Sequence, residues 1–148
     1  MKTEQELVVR VERHLNASAE RVFDAFLNPE QAKHFMFVMG EPLVRSEVDP
    51  IVGGKYTFVD RRDGEDVAHT GEFLDITRPE RLIFTLSVPK YSQDKDEVRI
   101  VIEPEDHGCS LTLTHATHGD DDVKRQVEQG WNGVLDRLEE TIGEDNYS

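Results

Sequence analysis

The stretch VKRQVEQGWNGVLDRLEETI, residues 123–142, decides the fold. Val123, Val127, Trp131, Val134, Leu135, Leu138 and Ile142 recur at spacings of three, four and seven, which sets them on one face of a single amphipathic helix. Asp120, Asp121 and Asp122 suit the positive end of its dipole, and Gly143 offers a stop. Gly130 and Gly133 lie inside the helix, where each costs up to about 1 kcal/mol against alanine. Their use is either close approach to a strand or room beside Trp131.

Upstream the period changes. Leu7, Val9 and Val11 alternate with Arg10, Glu12 and His14, and Leu15 returns to the apolar side, as in a half-buried strand. Ser18 then offers a cap oxygen and Glu20 suits a first turn. Val22, Phe23, Phe26 and Leu27 take helical spacing from Ala19 until Asn28-Pro29. A second short helix is expected over 30–35. Strands are expected at 43–48, 55–62, 67–76, 81–88, 98–103 and 110–117, separated by turn signals such as Asp49-Pro50, Gly53-Gly54, Asp63-Gly64 and His107-Gly108. Most connections are too short for a crossover helix, so neighbouring strands should pair antiparallel as a meander. The reading is an α+β fold in one domain spanning residues 1–148, with a late helix covering the apolar face of an antiparallel sheet. That arrangement tends to create a pocket.

With 31 acidic and 17 basic side chains the formal charge is −14. Such a surface repels phosphate backbones, so neither nucleic acid nor an anionic membrane is an expected partner. Cys109 is the only cysteine, so no intrachain disulfide can form. Residues 1–10 contain no apolar run of signal or membrane-span length. A cytoplasmic protein without membrane insertion is the expectation.

Several blocks, in this order, carry a resemblance. They are the opening strand followed by ASAERVFDAF at 17–26, GGKY at 53–56, GEFLDI at 71–76 with PERL at 79–82, and GW at 130–131 leading to LDRL at 135–138. Together they resemble the Hsp90-ATPase-activator-homologue family of the START-like, or helix-grip, superfamily, over nearly the whole chain. Two places depart from the family pattern. Lys33-His34-Phe35-Met36-Phe37 stands where members often carry tryptophans, and Gly108-Cys109 replaces a glycine-threonine turn. The resemblance implies a START/Bet v 1-like helix-grip fold: a curved antiparallel sheet with two short helices after its first strand, wrapped around the long C-terminal helix and an apolar cavity.

It also implies a hydrophobic ligand, lipid-, hormone- or polyketide-like, bound without catalysis. A cavity hydrolase or cyclase is one alternative, and a chaperone-linked interaction module with a stress-response setting is another. The founding co-chaperone has a further domain that this chain does not match, so activation of an Hsp90-type chaperone is not expected. Monomer and homodimer both remain open.

In a helix-grip cavity the inward strand positions and the facing helix stripe form the walls. Phe58, Phe73, Phe84, Leu86 and Ile100, with Val127, Trp131 and Val134, are therefore the lining candidates. Phe35 and Phe37, flanking Met36, are candidates for a mouth or lid. For each, plain core packing is the competing reading.

His69 is a candidate anchor or general base in the cavity, against the alternative of an outward strand histidine. His115 and His118 should point to opposite faces and have no third ligand beside them, so no metal or cofactor is expected. Gly53-Gly54 lacks the continuation of a phosphate loop. Cys109 and Ser110 have no recognisable partner for nucleophilic catalysis, so no catalytic residue is assigned.

Overall fold

The computed structural model describes residues 5–38 and 41–143; residues 1–4, the start of the N-terminal stretch read above, lie outside them. The chain runs β1 (Gln5–Leu15), α1 (Ala19–Leu27), α2 (Pro29–Ala32), β2 (Arg45–Val48), β3 (Lys55–Arg62), β4 (Glu65–Thr77), β5 (Arg81–Leu86), β6 (Asp96–Glu105), β7 (Gly108–Gly119) and α3 (Asp121–Ile142). The strands form one curved antiparallel sheet in the order β1-β7-β6-β5-β4-β3-β2. From β2 to β7 this is the expected meander. β1 lies at the far edge from β2, paired along its whole length with β7, Gln5 opposite Gly119 and Leu15 opposite Cys109.

The caps follow from local chemistry. Ser18 Oγ accepts from the Arg21 amide at 3.2 Å, and the Asn28 side chain accepts from the Glu30 amide at 2.9 Å with Pro29 in the first turn. Asp120 Oδ1 accepts from the amides of Asp122 and Val123, both at 3.1 Å, which starts α3 earlier than its apolar stripe. α2 is shorter than expected and continues as turns through Phe37. β5 stops at Leu86, and Ser87 keeps only an isolated bridge to Thr70. In β4 the pairing shifts between Phe73 and Asp75, a bulge that bends the strand around the core.

The concave face is a set of alternating rows. Val98, Ile100 and Ile102 in β6, and Cys109, Leu111 and Leu113 in β7, are buried. Arg13 falls on the same parity in β1, where its guanidinium meets Asp136 at 2.9 Å and Glu139 at 2.5 Å on α3. Leu135 and Leu138 of α3 are fully buried within this core. Leu135→Ala is expected to cost about 2–5 kcal/mol in urea unfolding. Val8→Ala, on the outer face at 64% exposure, should stay within about 0.5 kcal/mol. Similar losses from both would contradict this assignment of faces.

Candidate functional site

The second half of α3 seals the sheet and the first half does not. Trp131, Val134, Leu135, Leu138 and Ile142 are buried, whereas no residue from 121 to 130 is. Beneath the raised end lies a cleft of about 540 Å³, within the range of roughly 300–1,000 Å³ usual for small-molecule sites. Val127, Gly130, Trp131 and Val134 line it from α3, together with Gln126, Gln129, Gly133 and Arg137. Arg62, His69 and His115 line it from the sheet, with Leu86, Val88, Phe37 and Val38 completing the wall.

Among the sequence candidates, Phe37, His69, Leu86, Val127, Trp131 and Val134 meet at this cleft. Phe35, Phe58, Phe73, Phe84 and Ile100 do not line it. Phe35 is fully buried and packs edge-on against Phe26 with ring centroids 5.3 Å apart, so it belongs to the core rather than to a mouth. Phe58, Phe73 and Phe84 surround Tyr56 at 5.2–5.6 Å. Only about 10 Å³ of void remains among these rings, Phe26, Met36 and Leu82.

Tyr56 is the reason that end is closed. It pairs with Gly71, and a Cβ there would lie 2.6 Å from the Tyr56 ring and 1.8 Å from the Thr85 carbonyl oxygen. The bare glycine lets the phenol cross it and donate to that carbonyl at 2.6 Å. Desolvation raises the Tyr56 pKa, so the hydroxyl stays a donor.

The two helix glycines lie on the cleft side of α3. A Cβ on Gly130 would meet nothing within 4 Å, and one on Gly133 would meet only the Arg137 guanidinium, at 3.3 Å. Neither makes room for a strand. Both line the cleft together with Trp131.

Trp131 is fixed from behind. Its Nε1–H donates to His115 Nδ1 at 2.8 Å, and His115 Nε2 lies 2.8 Å from Asp96 Oδ2. An indole can only donate, so Nδ1 accepts and Nε2 carries the proton that Asp96 receives. Burial opposes ionisation of Asp96, but hydrogen bonds from His115 and Thr117 outweigh it and hold its pKa below the ordinary value. His115 and exposed His118 face opposite sides, as their spacing predicted. Among the described residues no group of three or more His, Cys, Asp or Glu side chains is placed to hold a metal, and Cys109 is buried.

Opposite Trp131, His69 is 5% exposed and its Nδ1 is buried without a hydrogen-bond partner. Phe37 stacks on the imidazole, with centroids 4.4 Å apart and planes 4° apart, and meets Trp131 at 5.5 Å. Phe37 does so from φ 59°, a left-handed conformation that costs a bulky residue about 1–3 kcal/mol. Desolvation first, and the Arg62 charge second, push the His69 pKa down to about 4. Arg62 itself donates from Nε to Asp60 Oδ2 at 2.6 Å, and that carboxylate is almost fully buried.

Sequence reading missed His115, Arg62 and Arg137 as wall residues, although the signals were present. His115 is the next member of the row Cys109, Leu111, Leu113, and Arg62 continues Tyr56, Phe58, Asp60 at period two. Arg137 lies three residues after Val134 on α3.

The profile of the family described as activator of Hsp90 ATPase homolog 1-like protein matches residues 16–143. The chain belongs to that family. Solved structures agree on the helix-grip fold. A protein of unknown function from Staphylococcus aureus is 17% identical with a TM-score of 0.82, each chain covered over 94%. A protein from Chromobacterium violaceum is 24% identical with a TM-score of 0.81, over 93% of this chain and 98% of that one. The AHSA1-like protein from Aeromonas hydrophila is 22% identical with a TM-score of 0.77, over 96% and 99%. Comparison with curated proteins gives no match. As in the family reading, the sheet carries two short helices after β1 and closes with the long α3; among the described residues no helix is long and apolar enough to cross a membrane.

Two outcomes follow from this geometry. Gly130→Ala should raise stability by up to about 1 kcal/mol in chemical unfolding, because the new methyl meets no atom; a loss would contradict the open space. His69 stays neutral in the folded protein down to about pH 4, whereas the unfolded chain gains that proton near 6.5. The unfolded state therefore binds more protons between those values, and stability is lost as pH falls through that window. Thermal melts from pH 7 to 4 should show a smaller decline for His69→Gln than for the parent, and parallel profiles would contradict the shift.

Proposed function

We propose that the chain, as one domain, binds a hydrophobic small molecule in the cleft under the first half of α3, without catalysing its conversion. The observation that carries this reading is Gly130. A glycine inside a long helix sacrifices helix stability, and here no neighbouring atom requires the missing side chain. The space it leaves opens onto Trp131, Val127, Val134, Leu86 and Phe37, an apolar wall that suits a ligand's hydrocarbon or ring system.

The histidines favour binding over catalysis. An efficient general base has a pKa near the working pH, and that of His69 is about 4. Both ring nitrogens of His115 are engaged, by Trp131 and Asp96. A cavity enzyme using His69 would have to overcome that low basicity.

Uptake of the neutral fluorophore N-phenyl-1-naphthylamine gives a direct test, with quenching of Trp131, the chain's one tryptophan, as a second signal. Saturable uptake is expected. Gly130→Leu should weaken it by about tenfold or more without lowering the melting temperature. A parent protein that takes up no probe, or a leucine variant that binds equally well, would refute the reading.

A further inference from the structure

The polar part of the cleft is made of hydrogen-bond donors, in a protein whose surface is dominated by carboxylates. Arg62, Arg137, Gln126 and Gln129 line the cleft, and among the described residues no Asp or Glu does. The carboxylates behind the wall are already used: Asp60 accepts from Arg62 Nε, and Asp96 accepts from His115 Nε2. Asp60 thereby holds the Arg62 guanidinium in place. Among the described residues the terminal nitrogens of Arg62 have no protein partner. Arg137 has only a long 3.4 Å contact from Nη1 to the Gly133 carbonyl and no carboxylate partner.

A second observation points the same way. His69 Nδ1 is a buried polar atom with no partner, in a side chain that is 5% exposed and lines the cleft. Such an atom is expensive while unpaired, and a neutral imidazole can present a proton at either nitrogen. Trp131, Val127, Val134, Leu86 and Phe37 make the remaining lining apolar. An occupant that satisfies both halves has a hydrocarbon or aromatic body and an acceptor-rich head, and two guanidinium groups favour a head that is charged.

We infer that the cleft selects amphipathic anions: its ligand is an apolar molecule ending in a single anionic group, with the body against Trp131 and Val127 and the head at Arg137 and Arg62. This rests on the binding reading above and names the chemical class of the ligand. The overall charge of the chain repels such molecules at long range, so the selectivity arises locally, from Arg137, which has no carboxylate partner among the described residues, and from the terminal N–H groups of Arg62, whose Nε is paired with Asp60.

Displacement of N-phenyl-1-naphthylamine by decanoate and by methyl decanoate, at pH 7.5 and below micelle-forming concentrations, tests the inference. The two share an acyl chain and differ in the charge of the head. Decanoate should displace the probe at about tenfold lower concentration. Arg137→Gln should reduce that margin severalfold, weakening displacement by the acid more than displacement by the ester. The pair Asp60→Asn with Arg62→Gln, which strands no buried carboxylate, should reduce it further. If the probe binds but the ester matches or exceeds the acid, or the margin survives both variants, the anion inference fails and the binding reading stands. If the probe does not bind the parent protein, both fail.

Discussion

The apolar seam between the second half of α3 and the concave face of the sheet supports everything else. At roughly 1.5–3 kcal/mol for each fully buried large apolar side chain, Trp131, Val134, Leu135, Leu138 and Ile142 together contribute on the order of 10 kcal/mol. That is comparable to the net stability of a whole domain. Neither the helix nor the sheet face can be left without it. The cleft exists because the seam ends at Trp131, where the helix continues for ten more residues without burying one of them.

Around that boundary the two walls are held differently. Trp131 is tied to the sheet through His115 and Asp96, so the indole has a directional bond as well as packing behind it. The facing wall depends on stacking of Phe37 over His69, with Phe37 in a costly backbone conformation and His69 lacking a partner at Nδ1. The first side is a satisfied network. Strain and unsatisfied polarity collect on the second, where a bound molecule has the most to improve.

Much of the architecture was legible in the residues. Period two and the turn signals placed all seven strands to within two positions, period 3.6 placed α3, and Ser18, Asn28-Pro29 and Asp120 marked the helix ends. The place of β1 beside β7 was not legible, since pairing between distant strands leaves no local spacing to read. The site was legible in part. Leu86 was read on the inward row, whereas the side that His69 faces was left open, and parity cannot tell a residue that lines a void from one that fills it. Phe58, Phe73 and Phe84 became filler because Tyr56 crosses Gly71, a contact that depends on register rather than on sequence neighbours. His115 was weighed only as a metal ligand and Arg62 was not weighed at all, although each continues the inward row of its strand.

The pairing of β1 with β7 also sets an order of events during synthesis. Among the described strands β1 leaves the ribosome first, yet the one partner it has there is made last, just before α3. Through most of translation the meander β2 to β6 can assemble while β1 waits with its backbone donors and acceptors unpaired, the state in which a strand is most exposed to pairing with another chain. Its charged residues Arg10, Glu12, Arg13 and His14 then have a second use, as they make that waiting strand a poor template for aggregation.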